Sequence, residues 1–393
     1  MKKSKIVLIS LLIIALLLTG CKANNTALKP VEEYEKEYPD KVKMFKSNSE
    51  MSLTKFGGSE QVDYLAKYPY LKNFYEGYGF AKQYDRARGH VYAVEDVLST
   101  TRPKKGASCL ACKTSEFNEA LLKDKNVSAA NFEEFAKEHV KVGFTCYDCH
   151  GEKPGEINVK RVHIVEGLKE EKLKGKIEGN ALACAQCHTE YYMTNEDNAV
   201  KLPWTNGLGC EEAFAYYEKD GFFDWEHPKT GAKLLKAQHP EVETFDGSLH
   251  AGMNLTCSDC HMPEVEFEGK KVSSHHWTSP LKNDVENACL KCHSDQTEDT
   301  LIKAVEGIQA KVTDKTDQVA LKLDDFIKKL SEKRESGNLE GTKLEDLQHV
   351  HREAQFYWDY VFVENGEGFH NTEKQMKYLE HAEELLEKAL SEL

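Results

Sequence analysis

The chain has 393 residues, with 66 Asp and Glu against 52 Lys and Arg, for a net charge of −14. That balance excludes nucleic acid as a natural partner, because a phosphate backbone would be repelled. Its 12 cysteines are many for a chain of this length, and their spacing, rather than the bulk composition, carries the chemistry.

The N-terminus reads Met1-Lys2-Lys3-Ser4-Lys5, followed by an apolar run from Ile6 to Leu18 broken only by Ser10. A basic start and an apolar stretch too short to span a bilayer predict a signal peptide over 1–20. The ending Leu18-Thr19-Gly20-Cys21 resembles a bacterial lipobox, with cleavage before Cys21 and lipidation of its thiol. The expected location is extracytoplasmic: the outer face of the cytoplasmic membrane or the periplasm, lipid-anchored. No later stretch approaches the length of a membrane helix.

Five Cys-x-x-Cys pairs follow at intervals of roughly 30 to 75 residues. Four continue into histidine: Cys146, Cys149 and His150; Cys184, Cys187 and His188; Cys257, Cys260 and His261; Cys289, Cys292 and His293. The first, Cys109, Cys112 and Lys113, ends in lysine instead. In such a motif the two thiols bond to the vinyl groups of haem and the next residue ligates the iron. Zinc sites take their ligands in fours at closer spacing, and a thioredoxin-like dithiol needs a single pair on a βαβ frame. The pattern therefore predicts five haem c groups, four with a histidine ligand and one with Lys113. A lysine amine binds metal only after losing its proton, far below its free pKa of about 10.4. The odd motif thus marks one haem set apart for chemistry. Cys21 and Cys210 remain, Cys210 as a buried thiol, with no disulfide framework.

The expected fold is mainly α: a multihaem cytochrome c fold with a loop-rich haem core and long C-terminal helices. The pentahaem core is assigned to 21–295, and its macrocycles stand in for much of a side-chain core. The region 296–393 is helical. Leu301, Val305, Ile308 and Val312, then Val319, Leu323, Phe326 and Leu330, form a stripe at helical spacing. Ser331–Lys343, with Gly337 and Gly341, reads as a turn. Second and third helices are predicted at Leu344–Val363 and Glu373–Leu393. The stripe either packs on the haem core or forms a dimer interface; the length of the first helix favours the dimer.

With a Lys-ended motif first among five, the chain closely resembles the ammonia-forming cytochrome c nitrite reductases, the pentahaem catalytic subunit. The resemblance runs through Arg86-Ala87-Arg88-Gly89-His90, Asp96-Val97, Thr101-Arg102, and CAQCHTEYY at 184–192. It continues through Lys201-Leu202-Pro203-Trp204, then Lys236-Ala237-Gln238-His239-Pro240-Glu241, CSDCHMP at 257–263, and Gly368-Phe369-His370-Asn371. It implies six-electron reduction of nitrite to ammonium at the Lys113-ligated haem, whose distal position stays open. Hydroxylamine and sulfite are further substrates it brings into view. Matching motifs put Arg102, Tyr191 and His239 in the distal pocket. Arg102 would hold the anion, His239 would donate protons, and Tyr191 would supply a hydroxyl. One Ca²⁺ per monomer is implied, held by Glu190, the Tyr191 and Lys236 carbonyls, and Gln238; an all-oxygen set suits a hard cation.

Twelve histidines remain after the four in the motifs, too many for chemistry alone to choose among. The resemblance selects His90, His250, His275 and His370 as second axial ligands, with His275 preferred to His276 for its distance to Pro280. His139, His163, His227, His349, His351 and His381 read as structural or solvated. The implied partners are nitrite, a membrane quinol-oxidising multihaem cytochrome and a second copy of the chain. Two alternatives stay open on the residues: a hydroxylamine- or sulfite-handling enzyme, and an electron-transfer lipoprotein without turnover.

Overall fold

The structure is a computed structural model that describes residues 28–50 and 59–393. The signal peptide over 1–20 and the lipid site Cys21 lie outside the described residues. The fold is mainly helical with little strand, as the sequence predicts. Helices of eight residues or more are α1 (Pro39–Ser47), α2 (Phe132–His139), α3 (Cys210–Asp220), α4 (Glu298–Glu335), α5 (Gly341–Phe362) and α6 (Thr372–Glu392). The strands form three antiparallel hairpins: β1 (Tyr192–Met193) with β2 (Val200–Lys201), β3 (Trp225–Glu226) with β4 (Lys233–Leu234), and β5 (Glu264–Phe267) with β6 (Lys270–Ser273).

Long helix α4 begins at a reciprocal cap. Thr297 Oγ1 accepts the Thr300 N–H, and Thr300 Oγ1 accepts the Thr297 N–H at 2.9 Å. Glu298 and Asp299 in the first turn and Lys333 and Arg334 in the last complement the helix dipole. The predicted turn at 331–343 is shorter than expected. Ser331 is buried, and its hydroxyl donates to the Ile327 carbonyl at 2.7 Å, so the helix runs on to Glu335. Gly337, at φ 68°, lies in the connection that follows. Helix α5 starts at Gly341, ahead of the expected Leu344. Helix α6 starts at Thr372, where the Asn371 side chain accepts the Lys374 N–H at 3.2 Å.

The stripe on α4 is used inside the protein. Val312, Val319, Leu323, Phe326 and Leu330 are buried in one cluster with residues of α5 and α6. Further toward its N-terminus, Leu301, Val305 and Ile308 line the cavity described below. Each large side chain so buried contributes roughly 1.5–3 kcal/mol. The same cluster takes in Leu71, Phe74, Tyr75, Trp225 and Leu234, so one core crosses position 296. At its centre Trp358 meets Phe74 edge-on at 5.0 Å and donates from Nε1 to the Thr316 carbonyl at 2.9 Å. Cys210, at the start of α3, is fully buried, and no described cysteine is in a disulfide. Among the described residues no helix is long and apolar enough to cross a membrane.

Candidate active site and electron relay

A single cavity of about 3030 Å³ runs through the middle of the protein. All five Cys-x-x-Cys motifs line it, together with Lys113, His150, His188, His261 and His293. Short helices present several of the motifs: Tyr147–His150, Ala181–Ala185 and Cys257–His261. On a helix, residues three and four apart share a face, so two cysteines and the following histidine point the same way. Thr256 and Asp259 cap the fourth motif reciprocally and fix where its helix begins.

The four histidines selected as second ligands also line the cavity, and three face a motif histidine directly. Ring centroids are 5.9 Å apart for His90 and His188, 6.2 Å for His150 and His275, and 6.2 Å for His261 and His370. His250 lies near enough to His293 for that ring to depress its proton affinity, after burial. One metal between two imidazoles, each bonded at about 2 Å, sets ring centres about 6 Å apart. The four pairs therefore fit four bis-histidine haems. His276 lines the cavity too, but its Nδ1 lies 3.2 Å from Ser47 Oγ.

The remaining histidines are engaged in other ways. His163 Nε2 sits 2.7 Å from the Gln186 carbonyl. Both nitrogens of His227 and of His351 have hydrogen-bond partners within the core. His349 and His381 pair with Glu218 and Glu353, and His139 is half-exposed beside Glu138.

Several paired rings are held through Nδ1, which leaves Nε2 for the cavity. His261 Nδ1 lies 3.2 Å from the Thr278 carbonyl and His275 Nδ1 3.0 Å from that of Ser273. Burial pushes both rings down to about 4, so they are neutral, the form that ligates a metal. His188 and His370 differ. Burial would lower them too, but Glu241 and Glu364 outweigh it and hold each at about 9.

Lys113, Arg102, Tyr191, Gln238 and His239 all line the cavity, with Tyr191 near Arg102 and the first-motif cysteines and His239 near Lys113. The Arg102 guanidinium lies 4.2 Å from the centre of the Phe80 ring, a stacking that fixes its plane. Burial, then the Cys112 and Cys109 sulfurs, push the Tyr191 hydroxyl well above its ordinary value, so it stays a donor. Burial pushes His239 down to about 4, with Glu241 opposing and Lys113 adding to the fall. Its Nδ1 is buried with no protein partner. Arginine, phenol and imidazole thus converge near Lys113, a donor-rich pocket suited to a small anion.

The calcium residues also come together. Glu190 is fully buried; its carboxylate accepts the Tyr217 hydroxyl at 3.0 Å and the Gln238 N–H at 2.7 Å. The Gln238 side chain lies 3.1 Å from the Lys236 carbonyl. Burial, and then Glu243, raise the Glu190 carboxyl well above its ordinary range, against the opposing pull of the Gln238 N–H, Tyr217 and Lys236. Among the described residues no three His, Cys, Asp or Glu side chains cluster as metal ligands. A carboxylate with carbonyl and amide oxygens fits a hard cation all the same. The Lys236 side chain turns away, with Nζ 2.9 and 3.0 Å from the Asp359 carboxylate of α5. Asp359 also accepts the Ala237 N–H at 3.1 Å, which ties the segment to the helices.

Sequence reasoning missed a buried polar node that joins three motifs. The Arg161 guanidinium donates to the Ala111 carbonyl in the first motif and pairs with Asp148 of the second at 2.7 Å. Gln186 of the third motif accepts the Lys160 and Arg161 N–H groups at 2.9 and 3.1 Å. Asp148 and Gln186 fill the free positions of their Cys-x-x-Cys motifs, where no residue type is demanded. Arg161 carries no motif at all.

The cytochrome c552 family model matches residues 30–393. The chain is 32% identical to the cytochrome c nitrite reductase subunit NrfA of Nitratidesulfovibrio vulgaris, over 95% of this chain and 79% of that one. It is 29% identical to cytochrome c-552 of Porphyromonas gingivalis, over 91% and 74%. Among solved structures it resembles cytochrome c nitrite reductase from Desulfovibrio desulfuricans, whose catalytic subunit has two calcium sites. There the TM-score is 0.85 at 28% identity, over 94% of this chain and 87% of that one.

Proposed function

Since the chain belongs to the cytochrome c552 family and is a cytochrome c nitrite reductase, we propose that it reduces nitrite to ammonium at the Lys113 motif, fed through four bis-histidine sites. The reaction takes six electrons and eight protons and yields ammonium and two waters. A haem held by Cys109, Cys112 and Lys113 would supply the redox centre at which the anion is reduced, and haems held by the other four motifs would carry electrons to it. The protein's part is to bind the anion, orient it and deliver protons. Arg102 is the anion anchor, a permanent cation whose plane is set by Phe80. Tyr191 donates a hydrogen bond from a hydroxyl that burial keeps protonated. His239 is neutral when the site is empty. The arrival of a buried negative charge raises its proton affinity, so anion and proton load together. Buried hydrogen-bond donors preorganised in this way act more strongly than they would in water.

The observation that carries this reading is what surrounds the first motif: besides four histidine pairs, Arg102, Tyr191 and a His239 whose Nδ1 has no hydrogen-bond partner among the described residues lie by Lys113 and its cysteines, with the His239 ring 6.3 Å from that of His188. A protein that only carried electrons would have no use for the second set. Glu190, Gln238 and the Tyr191 and Lys236 carbonyls would hold Ca²⁺, which would offset the Glu190 charge and fix the segments bearing Tyr191 and His239. The working protein is a homodimer tethered by lipid at Cys21 outside the cytoplasm, and it takes electrons from a quinol-oxidising multihaem cytochrome. The deciding assay is anaerobic nitrite reduction with reduced viologen, on protein whose haems have been counted. Ammonium should appear in proportion to the nitrite consumed. Nitric oxide as the accumulating product, or no consumption at all, would sink the proposal.

A further inference from the structure

We infer that Glu364 and Glu241 set the potentials of two relay haems, holding those ligated by His370 and His188 below the one between His150 and His275. The inference rests on the axial ligation proposed above. Glu364 is buried, and its Oε1 is hydrogen-bonded to His370 Nδ1. The carboxylate is held on both sides: Oε1 also accepts the Gly366 N–H at 3.1 Å, and Oε2 accepts the Gln375 amide at 2.6 Å. Glu241 acts through charge alone: its Oε2 lies 3.5 Å from His188 Nδ1 without a hydrogen bond, and its Oε1 is anchored by the Asn365 amide. One segment after α5, Glu364–Asn365–Gly366, thus serves both histidines.

The third pair is treated differently. His275 Nδ1 faces the neutral Ser273 carbonyl at 3.0 Å, and His150 Nδ1 accepts the Gly155 N–H at 3.2 Å. An imidazole N–H bonded to a carboxylate becomes a more basic ligand. Stronger donation, and a fixed negative charge in a buried setting, stabilise ferric over ferrous iron and lower the potential. Neither His150 nor His275 is paired with a carboxylate among the described residues, so no such charge acts on that pair. The effect also has a direction in space. His188 and its partner His90 adjoin Lys113, whose charge is felt at His90 after those of burial and His188. The lowered haem therefore stands next to the catalytic motif, where a low potential increases the drive for electrons to leave toward it.

The test is a spectroelectrochemical titration of the five-haem protein. Glu364→Gln keeps the shape and removes the charge, so one midpoint should rise by about tenfold in the reduced-to-oxidised ratio, or about 59 mV for a one-electron couple. The other four should not move. Glu241→Gln should raise a different single midpoint by a similar amount. Titrations of both variants that superimpose on the wild type would overturn the inference. So would loss of a haem in both variants, because the carboxylates would then hold ligands in place without tuning them. Failure of the ligation reading is seen separately: His370→Met must change the low-spin spectrum of one haem, whatever the potentials do.

Discussion

The three-helix region and the haem region solve the problem of a core in different ways. Helices α4 to α6 fill theirs with Val319, Leu323, Phe326, Trp358 and Leu379, all fully buried. The 107–293 region instead surrounds a cavity of about 3030 Å³ with cysteines, histidines and short one-turn helices. Apart from 210–237, which packs into the helical core, its own apolar clusters are small: Ile164, Leu173 and Trp204 anchor one, Leu110, Phe117 and Phe135 another. One region carries its stability in side chains; the other depends on cofactors that bind covalently.

The largest effect expected from that contrast is loss of the haem region when haem is withheld. Protein made without haem attachment should exchange amide hydrogen freely across 107–191 and 241–293, while α4 to α6 and the 210–237 segment packed on them keep measurable protection, because binding that favours only the native state is gone. Equal protection in both regions would break the comparison. Next comes the converse. Phe326→Ala removes a fully buried ring from the helical core and should cost about 3–5 kcal/mol, read as a lowered unfolding midpoint. The haem spectrum and the haem count should stay as they were.

A third change acts inside the haem region alone. Lys113→His should retain five haems and a folded protein but cut nitrite turnover by about 100-fold, on the order of 2.7 kcal/mol. The cause is a changed ligand at the one site that faces Arg102, Tyr191 and His239. Full turnover by the variant would remove the special role assigned to the lysine.

The two regions also differed in how much of them the sequence disclosed. Helices α4, α5 and α6 were legible because apolar residues recur at helical spacing. Their ends were not, since Ser331 looks like a turn residue until its hydroxyl is seen bonding back to Ile327 within a buried turn. The use of the α4 stripe was equally hidden: periodicity says that a face is apolar, not what covers it, and here α5, α6 and the cavity do. The haem motifs were legible from spacing, because thioether attachment requires adjacent residues. The histidines proposed as second ligands were not, since His90, His250 and His370 come from distant segments and only the fold brings them near His188, His293 and His261. Choosing them took a resemblance, and so did the preference for His275, whose ring lies 6.2 Å from that of His150. Arg161, Asp148 and Gln186 left no trace in the sequence, because a buried hydrogen-bond node has no periodicity.

The smallest expected effect lies where the two regions meet. Lys236 and Ala237 are fastened to α5 through Asp359, while Glu190 and Gln238 face the proposed cation. Glu190→Ala removes the one carboxylate from that oxygen set. It should weaken calcium retention and lower turnover by about tenfold, roughly 1.4 kcal/mol, through looser placement of Tyr191 and His239. The helices should not register the change, since Asp359 still holds Lys236 at 2.9 Å from the far side. Elemental analysis after dialysis against a chelator reads the metal, and the unfolding midpoint reads the helices. Calcium content equal to that of the wild type would move the cation away from Glu190. A midpoint that fell with the calcium would mean that the two regions unfold as one.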